Sequence, residues 1–134
     1  MPKLRVLDKT IDAPAGRRLV LAIEDAGVRI GHRCGGIARC TTCRVTFESG
    51  EPDTMTEAEH RLLNERGLFG QYRLSCQIVC DHDMSVTPAM TADNQPQWNG
   101  DTGPAPAPAV KPEAAWQPIE ALKGSATRTE SASG

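Results

Sequence analysis

Four of the five cysteines, Cys34, Cys40, Cys43 and Cys76, are separated by five, two and thirty-two residues. The first three fall within ten residues of a segment containing Gly31, Gly35 and Gly36, and the fourth returns from a distant part of the chain. Thiolates so arranged can hold two iron atoms bridged by two sulfides. Gly35 and Gly36 would let the backbone approach closely, and inward N–H groups would bond to sulfur, one of the influences on reduction potential. A second pairing, Cys40-x2-Cys43 with Cys76-x3-Cys80, suits a tetrahedral zinc site. It leaves Cys34 and the double glycine without a role. A thioredoxin-type Cys-x2-Cys pair should open a helix, where the macrodipole lowers the thiol pKa; Cys43 instead leads straight into a strand pattern. The odd count excludes complete disulfide pairing within one chain, and cytosolic cysteines at short fixed spacing point to metal ligation or catalysis.

The elements that must position these thiols follow from periodicity. Lys3-Leu-Arg-Val alternates polar and apolar residues as a half-buried strand does, and a second short strand over Thr10 to Ala13 ends at Pro14-Ala15-Gly16. Leu19, Ala22, Ile23 and Ala26 recur at helical spacing, with Gly27 closing the helix. Gly31 to Cys43 shows no period and reads as a loop. Arg44-Val-Thr-Phe-Glu alternates again. Thr56-Glu-Ala-Glu59 has the form of a capping box, starting a helix to about Asn64, with Met55 as its staple and Leu62, Leu63 and Leu68 serving the core. Arg73 to Val79 and Met84 to Val86 read as closing strands. The order ββαβαββ predicts an α+β fold, a small mixed sheet with a helix packed across it.

Composition changes near Pro88. Residues 1–90 carry twelve basic and twelve acidic side chains and form the expected folded domain. Residues 91–134 hold six prolines, nine alanines and four glycines, with only Val110, Ile119 and Leu122 as large aliphatics. So little apolar area cannot offset roughly 1–2 kcal/mol of backbone ordering per residue, which predicts a disordered Pro/Ala-rich tail. Trp98 and Trp116 lie in it, and Trp116-Gln-Pro-Ile119-Glu-Ala-Leu122 reads as an incidental linker or, as the sharper alternative, an element that folds on contact with a partner. The formal charge of −2 lacks the basic clustering that nucleic acid or an anionic membrane requires. The longest apolar run, Leu19 to Ile23, has five residues, far short of the ~18 of a membrane span. Met1-Pro-Lys-Leu-Arg-Val has no secretory signal pattern, so a cytoplasmic location and a monomer are the expectations.

Cys34-Gly-Gly-Ile-Ala-Arg-Cys40-Thr-Thr-Cys43-Arg-Val, together with Arg73-Leu-Ser-Cys76-Gln, resembles the 2Fe–2S ferredoxins over about residues 3 to 88. The x5 spacing is similar to that of the adrenodoxin-like bacterial and mitochondrial branch, whose fourth cysteine lies in a comparable Arg-Leu-x-Cys-Gln motif. The resemblance implies the β-grasp ferredoxin fold, a 2Fe–2S cluster on Cys34, Cys40, Cys43 and Cys76, and one-electron transfer between a reductase and an electron-accepting enzyme. The protein would be a carrier and not an enzyme with a substrate. Arg44 stands where that branch commonly has His. The segment before Cys76 mixes Asp53, Glu57, Glu59 and Glu65 with His60, Arg61 and Arg66, where the branch has a strongly acidic docking helix. The likeness therefore extends to the cofactor and not to particular partners. A regulatory sensor, with cluster state acting on a partner through the tail, is the rival reading.

Several residues near the motif have two readings. Cys80 is the spare cysteine, expected as a partly buried thiol. His32, beside the loop, is expected to be solvated, and His60 and His82 to lie at the surface. Arg29, Arg33, Arg39 and Arg44 surround the cluster segment; they would either raise the potential and dock an acidic partner, or pair with nearby carboxylates.

Overall fold

A computed structural model of the chain describes residues 2–33, 35, 37, 38, 41–99, 101–104, 106–110 and 115–121. Cys34, Gly36, Arg39 and Cys40 lie outside these residues.

The sheet is built from the alternating segments. Strand β1 (Lys3–Val6) turns Leu4 and Val6 inward and leaves Lys3 and Arg5 exposed. It pairs antiparallel with β2 (Lys9–Asp12), Leu4 opposite Ile11 and Val6 opposite Lys9. On its other side β1 runs parallel to β8 (Met84–Pro88), Leu4 opposite Met84 and Val6 opposite Val86. β8 pairs antiparallel with β4 (Arg44–Ser49), with a bulge between Phe47 and Ser49. β4 carries β6 (Arg73–Leu74) on its outer edge, giving the order β2-β1-β8-β4-β6. The remaining short strands form two pairs: β3 (Arg17–Arg18) with β7 (Val79–Cys80), and β5 (Thr54–Thr56) with β9 (Trp116–Pro118).

Helix α1 (Leu19–Asp25) buries Leu19, Val20, Ala22 and Ile23, the face its spacing predicts, and packs against β1, β7 and the turn that carries Cys76. This is the expected α+β arrangement, a mixed sheet with a helix across it. Helix α2 (Glu57–Glu65) buries Leu62 and Leu63, and its N-cap Thr56 Oγ1 accepts from the Glu59 N–H at 3.1 Å. Met55 is buried beside it. Among the described residues, no helix is long and apolar enough to cross a membrane.

The structure differs from the sequence reading in the segment that carries Cys76. Arg73 to Val79 is not one strand, because a 3-10 turn at Ser75–Gln77 separates β6 from β7. Buried side-chain partners bind the turn's polar groups. Part of the Pro/Ala-rich stretch is described, at residues 91–99, 101–104, 106–110 and 115–121, and there it touches the domain. Thr91 bridges Ile30, Ala92 donates to the Arg29 carbonyl at 2.8 Å, β9 pairs with β5, and Ile119 packs against the core. The composition argument holds for a segment that must build its own core. A segment laid on a finished surface needs only main-chain partners and a few side-chain contacts. Residues 122–134 lie outside the described residues.

Candidate metal centre

Cys43 and Cys76 reach the same end of the β4–β6 ladder. Arg44 pairs with Leu74, so Cys43 stands one residue before the ladder on one strand and Cys76 two residues beyond it on the other. The Cys43 carbonyl accepts from both the Ser75 N–H (3.2 Å) and the Ser75 hydroxyl (2.8 Å), which fixes the turn against the loop. Both cysteines are buried. Of the expected ligand set, the structure therefore brings together Cys43 and Cys76, while Cys34 and Cys40 fall outside the described residues.

The turn is held from three sides. Gln77, fully buried, accepts from the Thr56 hydroxyl at 2.7 Å and directs its amide toward Cys76 Sγ at 3.7 Å. Upstream, Arg73 forks onto the fully buried Glu59 carboxylate, Nε to Oε2 at 2.7 Å and Nη2 to Oε1 at 3.2 Å. Glu59 Oε2 also accepts from the Leu74 N–H at 2.8 Å, and Arg73 donates to the carbonyls of Pro52 and Thr54. Burial works against the charge on Arg73, but Glu59 outweighs it and raises the guanidinium pKa. Glu59 thus serves the strand leading to Cys76 rather than the reciprocal bond of a capping box.

The third support is Arg18, which sequence reasoning missed. It has no exposed surface, and its Nε and Nη2 donate to the Cys76 carbonyl at 3.1 and 2.6 Å. No local signal marks it: Arg18 lies in β3, the extended residue before α1, and its partners Cys76 and Ala107 come from far along the chain.

The remaining candidates separate. His32 is buried and not solvated; its Nε2 lies 2.9 Å from Glu24 Oε2, a partner that raises its pKa against burial. His60 is half-buried, edge-on to Phe69, and His82 is exposed. Arg29 faces Asp93 at 3.4 Å, Arg33 stands over the Trp98 ring, and Arg44 stands over Tyr72 while donating to the Thr41 carbonyl. The extension thus occupies two of the cations that surround the loop. Cys80 sits in β7, and burial, helped by Asp81, pushes its thiol up to about 11. Cys43, Cys76 and Cys80 are all described and do not converge as a three-ligand metal site. That counts against the zinc pairing.

A thiolate-ligated iron–sulfur centre is anionic, so its site should offset negative charge away from water. Two buried cysteines beside a fully buried guanidinium fit that requirement. When bound, the cluster supplies a one-electron redox couple. The chain's own residues hold the Cys76 turn in place and put positive charge beside it.

Fold and site define a ferredoxin-type electron-carrier domain. Residues 4–81 match the 2Fe-2S iron-sulfur cluster binding domain family, and the chain belongs to it. Its cofactor is a 2Fe–2S cluster. The crystal structure of the ISC-like 2Fe-2S ferredoxin FdxB from Pseudomonas putida is similar, with a TM-score of 0.55 and 26% identity over 68% of this chain and 95% of that one. One subunit of the Na(+)-translocating NADH-quinone reductase in Chlamydia felis is 34% identical over 94 residues, 70% of this chain and 21% of the relative. The same subunit in Shewanella denitrificans is 36% identical over 80 residues, 59% of this chain and 19% of the relative. The chain therefore spans about a fifth of the length of the curated relatives it matches.

Proposed function

We propose that the domain passes single electrons between protein partners through a 2Fe–2S cluster held by Cys34, Cys40, Cys43 and Cys76, and has no substrate chemistry of its own. The observation that carries the ligand assignment is the double hydrogen bond from Ser75 to the Cys43 carbonyl, which sets the Cys76 turn against the cysteine loop. The partners are a reductase that loads the cluster and an enzyme that accepts the electron. Likeness to a protein named as part of an NADH-quinone reductase supports a chain of redox proteins as the setting.

The test is a reductive titration of the purified chain. About two irons and two acid-labile sulfides per chain, with uptake of one electron, are expected. A centre that takes up no electron, or one zinc in its place, contradicts the proposal.

A further inference from the structure

The extension crosses the loop on both sides of Cys34. The Trp98 ring lies against Gly31, so close that a Cβ there would stand 2.6 Å from it. Arg33 sits over that ring, 5.8 Å from its centroid, and donates to the Asp101 carbonyl at 3.2 Å. The His32 N–H donates to the Thr102 carbonyl at 2.8 Å. Gly103, at φ +111°, approaches the loop backbone so closely that a Cβ would meet the His32 carbonyl oxygen at 2.6 Å and Arg33 Cα at 2.7 Å. Pro104 then lies 3.5 Å from the position a Cβ would take on Gly35. Beyond it, the Ala107 carbonyl accepts from Arg18 Nη1 at 2.8 Å. The same guanidinium donates through Nε and Nη2 to the Cys76 carbonyl. One buried cation thus joins the turn carrying Cys76 to the segment lying over the loop that carries Cys34.

We propose that residues 101–104 and 107 belong to a strap over the cluster loop, and that Arg18 is a positioning residue that fastens it to Cys76 and favours the reduced centre. This rests on the ligand assignment above. Two effects of opposite sign follow. Reduction adds a negative charge, so a buried cation favours the reduced form, and low local dielectric strengthens its influence. The strap excludes water, which disfavours the more highly charged reduced form and slows loss of iron.

The experiment measures reduction potential, and cluster loss in the presence of an iron chelator, on full-length loaded protein. Arg18→Met is expected to shift the reduction equilibrium about tenfold toward the oxidised form, ~59 mV for a one-electron couple. The shift should persist at high salt, because a buried cation is little screened. Arg18→Lys keeps the charge without the fork, and is expected to hold the equilibrium within about threefold of the original while losing its cluster several-fold faster. Gly103→Val leaves Arg18 and every cysteine intact but forces the strap off the loop. It is expected to lose the cluster several-fold faster and to move the potential upward. If Arg18→Met takes up no cluster, the Lys and Val variants decide. A loaded Arg18→Met whose potential equals that of Arg18→Lys, or no faster loss in both Arg18→Lys and Gly103→Val, overturns the inference. An original chain that takes up no iron and sulfide would count against the ligand assignment itself.

Discussion

Around Cys76, position is set by buried charge and buried amide; along the extension, it is set by main-chain hydrogen bonds on a surface already built. Arg18, Glu59, Arg73 and Gln77 are all buried, and each has hydrogen-bond partners within the fold. In β9, Trp116 is exposed, yet Thr54 to Thr56 pair with that strand residue by residue, and the Glu57 and Ile119 N–H groups complete the seam. A buried ionic network depends on every member, since losing one strands a charge. A backbone ladder depends little on which side chains it carries. Substitutions should therefore be severe in the first region and mild in the second.

The largest effect should come from Glu59→Ala. Removing the carboxylate leaves Arg73 with the exposed Glu51 at 3.4 Å as its counter-charge and strands the Leu74 N–H, and a broken buried pair costs about 3–5 kcal/mol. Denaturant unfolding should show that loss, and an unfolding free energy within error of the original would break the comparison. Ile119→Ala, in the extension, removes a half-buried side chain and should cost about 1 kcal/mol. Trp116→Ala should cost less still, although Trp116 is the larger residue, because its ring is exposed. If Trp116→Ala destabilises as strongly as Glu59→Ala, the extension is held by side chains after all.

The smallest effect concerns pH. The His82 Nε2–H donates to the Gly50 carbonyl at 2.7 Å, and Nδ1 lies 2.5 Å from Asp81 Oδ1, so the protonated ring satisfies both acceptors. The Gly50 carbonyl, then Asp81, raise the pKa above 6.5 against a small cost of burial. A raised folded pKa gives stability that is fully present below the unfolded value and lost as pH rises through the folded one. The side chain is exposed, so solvent screening limits the effect to about 0.5 kcal/mol. His82→Asn should lower the melting temperature slightly at pH 6 and not at pH 9. Equal lowering at both would assign His82 a role independent of charge.

The sheet and helix were legible because Leu4 and Val6, and Leu19, Ala22 and Ile23, bury the faces their spacing dictates. The cysteine motif was legible because chemistry fixes residue type and separation together. Arg18 was not, since burying an arginine depends on carbonyls brought from Cys76 and Ala107, far along the chain. Glu59 matched a local capping rule, but a distant arginine claimed its carboxylate. The extension's contacts are invisible to a composition argument, because their partners are the edge of β5 and the backbone around His32, not its own side chains.

The central claim is the identity of the four ligands, and iron and acid-labile sulfide content of the five single Cys→Ser variants tests it most directly. Cys34→Ser, Cys40→Ser, Cys43→Ser and Cys76→Ser should each lose most of both. Cys80→Ser, which replaces a buried thiol in β7 outside the ligand turn, should keep about two of each per chain. Loss of the cluster in Cys80→Ser together with its retention in Cys76→Ser would contradict the account.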